Sequence, residues 1–193
     1  KTVDYVSVHT YPFHDTYYNP SFWTGIPVNE SSSNDERIKD AMTRSSNYAI
    51  SQFESVKNYI KNLGVNKPIH IGETGWASIS SDNYGQNGTR AADEYKQYLY
   101  YSNMIDYGKK NNVSIFYFSA FDEPWKDFNN PNGSENHFGL FTVDGKAKYA
   151  MWKNLDKGLL NGLGRNGLEV SKTYRGKRKN MMIDVLTPNK KNK

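Results

Sequence analysis

Three stretches of this chain carry apolar residues at strand-like spacing, and each is followed by a stretch with helical spacing. Residues 3–13, Val-Asp-Tyr-Val-Ser-Val-His-Thr-Tyr-Pro-Phe, predict a strand with Val6 and Val8 on one face and Ser7, His9 and Tyr11 on the other. The polar, ring-rich segment from His14 to Asn34 (Tyr17, Tyr18, Phe22, Trp23) predicts a long loop walling a cleft. Ser33 and Glu36 have the spacing of a capping box. Ile38, Met42, Ser45, Ala49, Gln52, Val56, Ile60 and Leu63 then recur at helical spacing up to a stop at Gly64. Pro68 opens a short buried strand that runs through Gly72 to Glu73. After a Gly/Ser/Asn loop through Gly88, a second helix is expected beyond Thr89, with Ala91, Tyr95, Tyr98, Ser102 and Ile105 on its stripe. Val113 to Glu123 predicts the third strand. A loop from Pro124 to Phe141 and a helix from about Lys146, carrying Ala147, Ala150, Met151 and Leu155, complete the pattern.

Strand, helix, strand, helix, strand, helix is a parallel α/β layout. Three such units do not close an eight-stranded barrel, which takes roughly 250 residues, and a bare three-stranded parallel sheet leaves an edge and a face unpartnered. The expectation is therefore α/β, the C-terminal portion of a TIM (β/α)8 barrel, incomplete as given. Residues 1–160 would supply the βα units, with the N-terminal strands missing, and residues 161–193 a basic tail.

Barrels of this kind present chemistry at the C-terminal tips of their strands. Glu73 stands at such a tip, between Gly72 and Gly75 and ahead of Trp76. Glycines there would let a ligand approach the backbone, and an indole face suits the apolar side of a sugar ring. Simple alternation puts Glu73 on the face of Ile69 and Ile71, and Glu123 on the face of Ile115, Tyr117, Ser119 and Phe121, so that both carboxylates reach one rim. The plainer alternative is a surface glutamate in a strand-to-loop turn. His9, His14 and Asp15, with His70 and His137, match no metal-ligand spacing and are expected to be ordinary buried or surface groups; no metal and no cofactor are expected.

Composition sharpens this picture in a few places. The 193 residues are 36% hydrophobic and 15% aromatic, enough for one core, and contain no cysteine, so neither disulfides nor thiolate metal sites arise. No apolar run reaches 18 residues, so no membrane contact is expected, and no signal peptide is visible at the start. From Arg165 onward nine Lys/Arg face two Asp/Glu, a net +7 against +5 for the whole chain, which leaves −2 for the first 164 residues. No nucleic-acid motif accompanies this basic stretch, so a solvated terminal segment is expected and no nucleic-acid partner. Four sequons, at Asn29, Asn87, Asn112 and Asn132, are of the kind an Asn-rich chain produces by chance.

Gly72-Glu-Thr-Gly-Trp76 and Phe121-Asp-Glu-Pro-Trp-Lys126, with Tyr11-Pro-Phe13 and Glu135-Asn-His-Phe-Gly-Leu-Phe141, resemble glycoside hydrolase family 17 over about Val3 to Leu160. The Asp-Glu-Pro-Trp-Lys form and the phrase from Leu140 to Tyr149 resemble its bacterial, laminarin-degrading branch. The resemblance implies a β-1,3-glucanase (laminarinase) on a TIM barrel, retaining, with Glu73 as catalytic nucleophile. It implies a supporting charged cluster of Glu123, Lys126 and Glu135, and cleft aromatics at Tyr11, Phe13, Trp76, Trp125 and Phe138. Lys126 would lower the pKa of Glu73 among three carboxylates. Ala77 departs from the family, where many members have proline. The acid/base glutamate of the resemblance lies in an Asn-Glu motif on an earlier strand, outside this chain; Asn29-Glu30 sits in a loop and is a poor substitute. The implied partners are a β-1,3-glucan polysaccharide or oligosaccharide and the missing N-terminal half of the same barrel, in a secreted, periplasmic or cell-surface setting. Transglycosylation through the same intermediate, or a non-catalytic glucan-binding fragment, are the alternatives.

Overall fold

The structure, a computed structural model, describes residues 3–24 and 32–189. Strand β1 (Val6–Thr10) leads through the short helix α1 (Pro12–Tyr18) to the long helix α2 (Asn34–Asn62). Strand β2 (Ile69–Thr74), helix α3 (Glu94–Asn111), strand β3 (Ile115–Tyr117) and helix α4 (Tyr149–Asp156) follow. The three strands form one parallel sheet in the order β1-β2-β3, the α/β arrangement of a barrel portion.

Local chemistry accounts for these elements. The capping box at α2 forms as expected: Glu36 N donates to Ser33 Oγ at 3.3 Å, and Ser33 N donates to Glu36 Oε2 at 2.8 Å. The buried stripe Ile38, Ala41, Met42, Ser45, Ser46, Ala49 and Phe53 packs on the sheet. Its two serine hydroxyls donate to the carbonyls of Ala41 and Met42, so neither is buried without a partner. Beyond Phe53 the helix leaves the core gradually: Val56 still packs against it in part, and Leu63 at the end is exposed. Helix α3 is capped by Asp93, whose carboxylate accepts the Lys96 amide, and ends at Asn112 in the left-handed conformation.

Several expectations give way. The residues after Tyr11 are not all loop: proline at the first turn starts α1, and Phe13 and Trp23 are fully buried. Trp23 Nε1 donates to the Thr89 carbonyl, while Phe22 stacks on Tyr48 at 4.5 Å. Asn29-Glu30 lies outside the described residues. In α3 the core face is Tyr95, Lys96, Gln97, Tyr100, Met104 and Gly108, turned away from Ser102 and Ile105. Lys96 is buried against Asp93, so a polar residue conceals the stripe in the sequence.

The strand faces also differ. Val8, Ile71 and Ile115 belong to the core under the helices, and Tyr117 meets Tyr101 of α3. The opposite face exposes Tyr5 and Phe116, with His70 between their rings at 4.9 and 5.5 Å. Ile69, Ile71, Ile115 and Tyr117 thus point toward the helices, on the face opposite Tyr5 and Phe116. The third strand is also shorter than expected, ending at Tyr117.

The basic tail is not a free solvated segment through Asn189. After α4 a small antiparallel pair forms, β4 (Gly164–Arg165) with β5 (Leu168–Glu169), and helix α5 (Arg178–Met181) follows. Met181 joins the main core, Thr173 Oγ1 donates to Glu94 Oε2 at 2.8 Å, and Asn189 N donates to the Thr89 carbonyl. No helix among the described residues is long and apolar enough to cross a membrane.

Phe53 is a fully buried anchor of α2. Its replacement by alanine is expected to cost about 3–5 kcal/mol, read as a lowered midpoint in denaturant unfolding with an unchanged slope.

Candidate active site

Strand β2 does not deliver Glu73 by simple alternation. Val8 pairs with Ile71, but the next residue, His9, pairs with Glu73, so Gly72 is an extra residue in β2. This is a β-bulge, which re-aims the side chain that follows it. A side chain at 72 has no room, because a Cβ there would lie 1.8 Å from Ser7 Oγ. Past the bulge Thr74 returns to the helix side, where its hydroxyl bonds Tyr100 at 2.6 Å and Thr10 at 3.4 Å, all three buried. Glu73 is left at the rim on the side of His9 and Tyr11.

Gly75 repeats the theme: a Cβ would sit 2.2 Å from the Phe118 carbonyl. The space at both glycines is therefore taken by the protein's own backbone and Ser7, not kept for a ligand.

At the rim each acidic group has its own partner. Tyr11 Oη donates to Glu73 Oε2 at 2.9 Å, and His9 Nδ1 lies 3.6 Å from the same oxygen. Burial first, then the bond to Glu73 and the charges of Glu73 and Glu135, push the Tyr11 phenol well above its ordinary range, so it stays a donor. His14 Nε2 donates to Glu135 Oε1 at 3.0 Å. That bond, with the His14 and Lys126 charges, holds the Glu135 carboxyl below its usual range against partial burial. Lys126 Nζ sits 3.6 Å from Glu123 Oε2 and 4.0 Å from the centre of the Phe118 ring. Tyr11 meets Phe118 and Phe138 edge-on at 6.4 and 5.9 Å. Glu73, Tyr11, Glu135, Lys126 and Glu123 are thereby joined in one neighbourhood. Lys126 pairs with Glu123 and reaches Glu135 only through its charge, and its expected pairing with Glu73 is not among the contacts of the described residues.

The aromatics divide sharply. Tyr11 is at the rim and Trp125 is 66% exposed, whereas Phe13, Trp76 and Phe138 are at most 2% exposed. Trp76 donates through Nε1 to the Ala91 carbonyl and touches Phe13, Trp23 and Tyr100 at 5.1–5.7 Å. Phe138 lies under Tyr11 and His14. These three form the floor of the site, with no ring face open to a sugar. A ring's type in a sequence does not tell whether its face is covered.

Sequence reasoning missed His14, which it set among ordinary histidines, and Lys148. Lys148 Nζ, 1% exposed in its side chain, donates to Asp122 Oδ1 at 2.6 Å and Ser78 Oγ at 2.7 Å. Only the nearness of Asp122 to Glu123 hinted that this buried group belongs to the site. Among the described residues no cluster of His, Asp and Glu has the makings of a metal site.

A parallel α/β framework that gathers carboxylates beyond the C-terminal ends of neighbouring strands is the architecture of a βα-barrel enzyme. The model of glycosyl hydrolases family 17 matches residues 36–152, and the chain belongs to that family. It is 54% identical to an endo-laminarinase from Formosa Hel1_33_131, with a TM-score of 0.94, covering 99% of this chain and 49% of that one. A glucan 1,3-beta-glucosidase of Arthroderma benhamiae is 40% identical over 88 residues, 42% of this chain and 27% of that protein. Glucan endo-1,3-beta-glucosidase 5 of Arabidopsis thaliana is 25% identical over 162 residues, 80% of this chain and 31% of that protein. The matched regions thus span less than half the length of each of these proteins.

Two outcomes follow from this geometry. Gly72→Ala is expected to destabilise the fold by about 1–3 kcal/mol through overpacking, with partial recovery when Ser7→Ala is added, measured by thermal unfolding. His14→Ala should let the Glu135 carboxyl rise toward its ordinary value of about 4.3, followed by carboxyl NMR titration. Because the folded value is depressed, the stability this pair contributes is present above the unfolded pKa and lost as pH falls through the folded one; His14→Ala should flatten that acid limb.

Proposed function

We propose that this chain carries the nucleophile side of a retaining glycoside hydrolase site acting on β-1,3-glucan. The observation that carries the reading is the setting of Glu73: Oε2 accepts the Tyr11 hydroxyl, with His9 Nδ1 3.6 Å away, and Oε1 has no hydrogen-bond partner among the described residues. A nucleophile needs one oxygen fixed for aim and one left free to attack. In this mechanism Glu73 attacks the anomeric carbon, the glycosidic bond breaks with proton transfer to the leaving oxygen, and water then hydrolyses the glycosyl ester.

The proton donor must lie about 5–5.5 Å from the nucleophile in a retaining site. Glu123 is engaged with Lys126 and Glu135 with His14, and we assign both to binding sugar hydroxyls and balancing charge. The acid/base glutamate then comes from outside the 193 residues, from strands that complete the barrel. Trp125, exposed beside Lys126, offers a stacking face for a glucose unit, and Tyr11 borders the same cleft. The substrate class comes from the family and from the names of the similar proteins, an endo-laminarinase and glucan 1,3-beta-glucosidases. A polymeric substrate supports a secreted, periplasmic or cell-surface setting.

In a form that also carries the proton donor, Glu73→Gln is expected to abolish turnover of laminarin while leaving oligosaccharide affinity within a few-fold of the original. A 2-fluoro glucosyl inactivator should add its mass to the peptide holding Glu73. Turnover at the original rate in Glu73→Gln, or label on another residue, would overturn the assignment.

A further inference from the structure

Behind the rim one buried ammonium joins loops that carry all three acidic residues. Lys148 Nζ donates to Asp122 Oδ1, to Ser78 Oγ and to the His137 carbonyl at 3.3 Å, which uses its three protons. Asp122 Oδ1 also accepts the Gly139 amide at 3.0 Å. Ser78 N donates to the same His137 carbonyl at 3.0 Å. Ser78 stands five residues beyond Glu73, Asp122 adjoins Glu123, and His137 lies two residues past Glu135. Asp122 and Lys148 are 6% and 1% exposed in their side chains, and neither faces the cleft.

We propose that the Lys148–Asp122 pair is a positioning device. It fixes the loops after β2 and β3, and the segment around Glu135, relative to one another, so that the three carboxylates hold a common geometry. A neutral hydrophobic contact would fill the same space, but it would not prescribe the register of a serine hydroxyl, a backbone carbonyl and a backbone amide at once. Charged, directional bonds do prescribe it. Gln97 works beside the pair, its side-chain amide donating to the carbonyls of Trp76, Phe138 and Gly139 at 2.9–3.3 Å. The kinetic consequence of this inference rests on the proposed hydrolase reading; the structural consequence does not.

The test is the double variant Asp122→Asn/Lys148→Met, since Lys148→Met alone strands a buried carboxylate and is expected to fold poorly. Amide hydrogen exchange should accelerate about tenfold or more in peptides covering 76–80, 119–124 and 134–140, with exchange in α2 and α3 unchanged. Turnover of laminari-oligosaccharides, in the form carrying the proton donor, should fall on the order of 10–100-fold in kcat, with KM little altered. Exchange unchanged in those loops, or accelerated equally throughout the chain, would overturn the proposal. So would loosened loops with kcat intact. If the parent protein cleaves no glucan, the hydrolase reading fails and the exchange comparison alone decides the positioning role.

Discussion

No side chain fits between Ser7 and position 72, and the site depends on that constraint. Because Gly72 is an extra residue with nothing beyond its Cα, β2 can crowd against β1 and still shift register by one. The shift separates two neighbours that alternation would have placed the other way: Glu73 turns to Tyr11, and Thr74 turns into the core to meet Tyr100. A regular strand would offer a poor choice here. Either the carboxylate would be buried under α3, or the threonine that pins the strand end would be exposed.

Once Glu73 is at the rim, three acidic groups share a small region, and unpartnered carboxylates so placed would raise one another's pKa. The chain separates their loads. Glu73 is met by a neutral phenol, Glu135 by an imidazole and Glu123 by an ammonium. Each partner comes from a different place: the residue between β1 and α1, the first turn of α1 and the loop after β3. A phenol beside Glu73 has a further consequence. The phenol orients one oxygen of Glu73 through a hydrogen bond without itself adding positive charge.

The three parallel strands and the longer helices between them were legible in the sequence because they rest on local signals: the Ser33/Glu36 box, the Gly64 stop and the proline before β2. The motifs taken as a set pointed to Glu73, Glu123 and Glu135 as a group, but nothing in them gave the partner that each carboxylate meets. The faces were not legible. Alternation placed Ile71 and Glu73 together, and a one-residue bulge is invisible to a period of two. The burial of Phe13, Trp76 and Phe138 was missed because aromatic residues serve core and cleft equally well. Lys96, Gln97 and Lys148 were missed for the opposite reason. A charged or amide side chain reads as surface until its partners are known, and those partners are up to 70 residues away in sequence.

The two sides of the sheet therefore do different work. On the helix side Thr10, Thr74 and Tyr100, then Trp76 and Gln97, and finally Lys148 and Asp122 form a buried polar layer that fixes where strands end and loops begin. On the open side Tyr5, His70 and Phe116 lie across the three strands with their rings in contact. A barrel fills that side with layers of side chains from all its strands, and this chain spans 49% of the laminarinase it superposes on. Anchoring the rim from the helix side means that the aim of Glu73 is set by contacts wholly within these residues. On the proposed hydrolase reading, whatever packs on the open face would shape the cleft and bring the second carboxyl group without also having to orient the first.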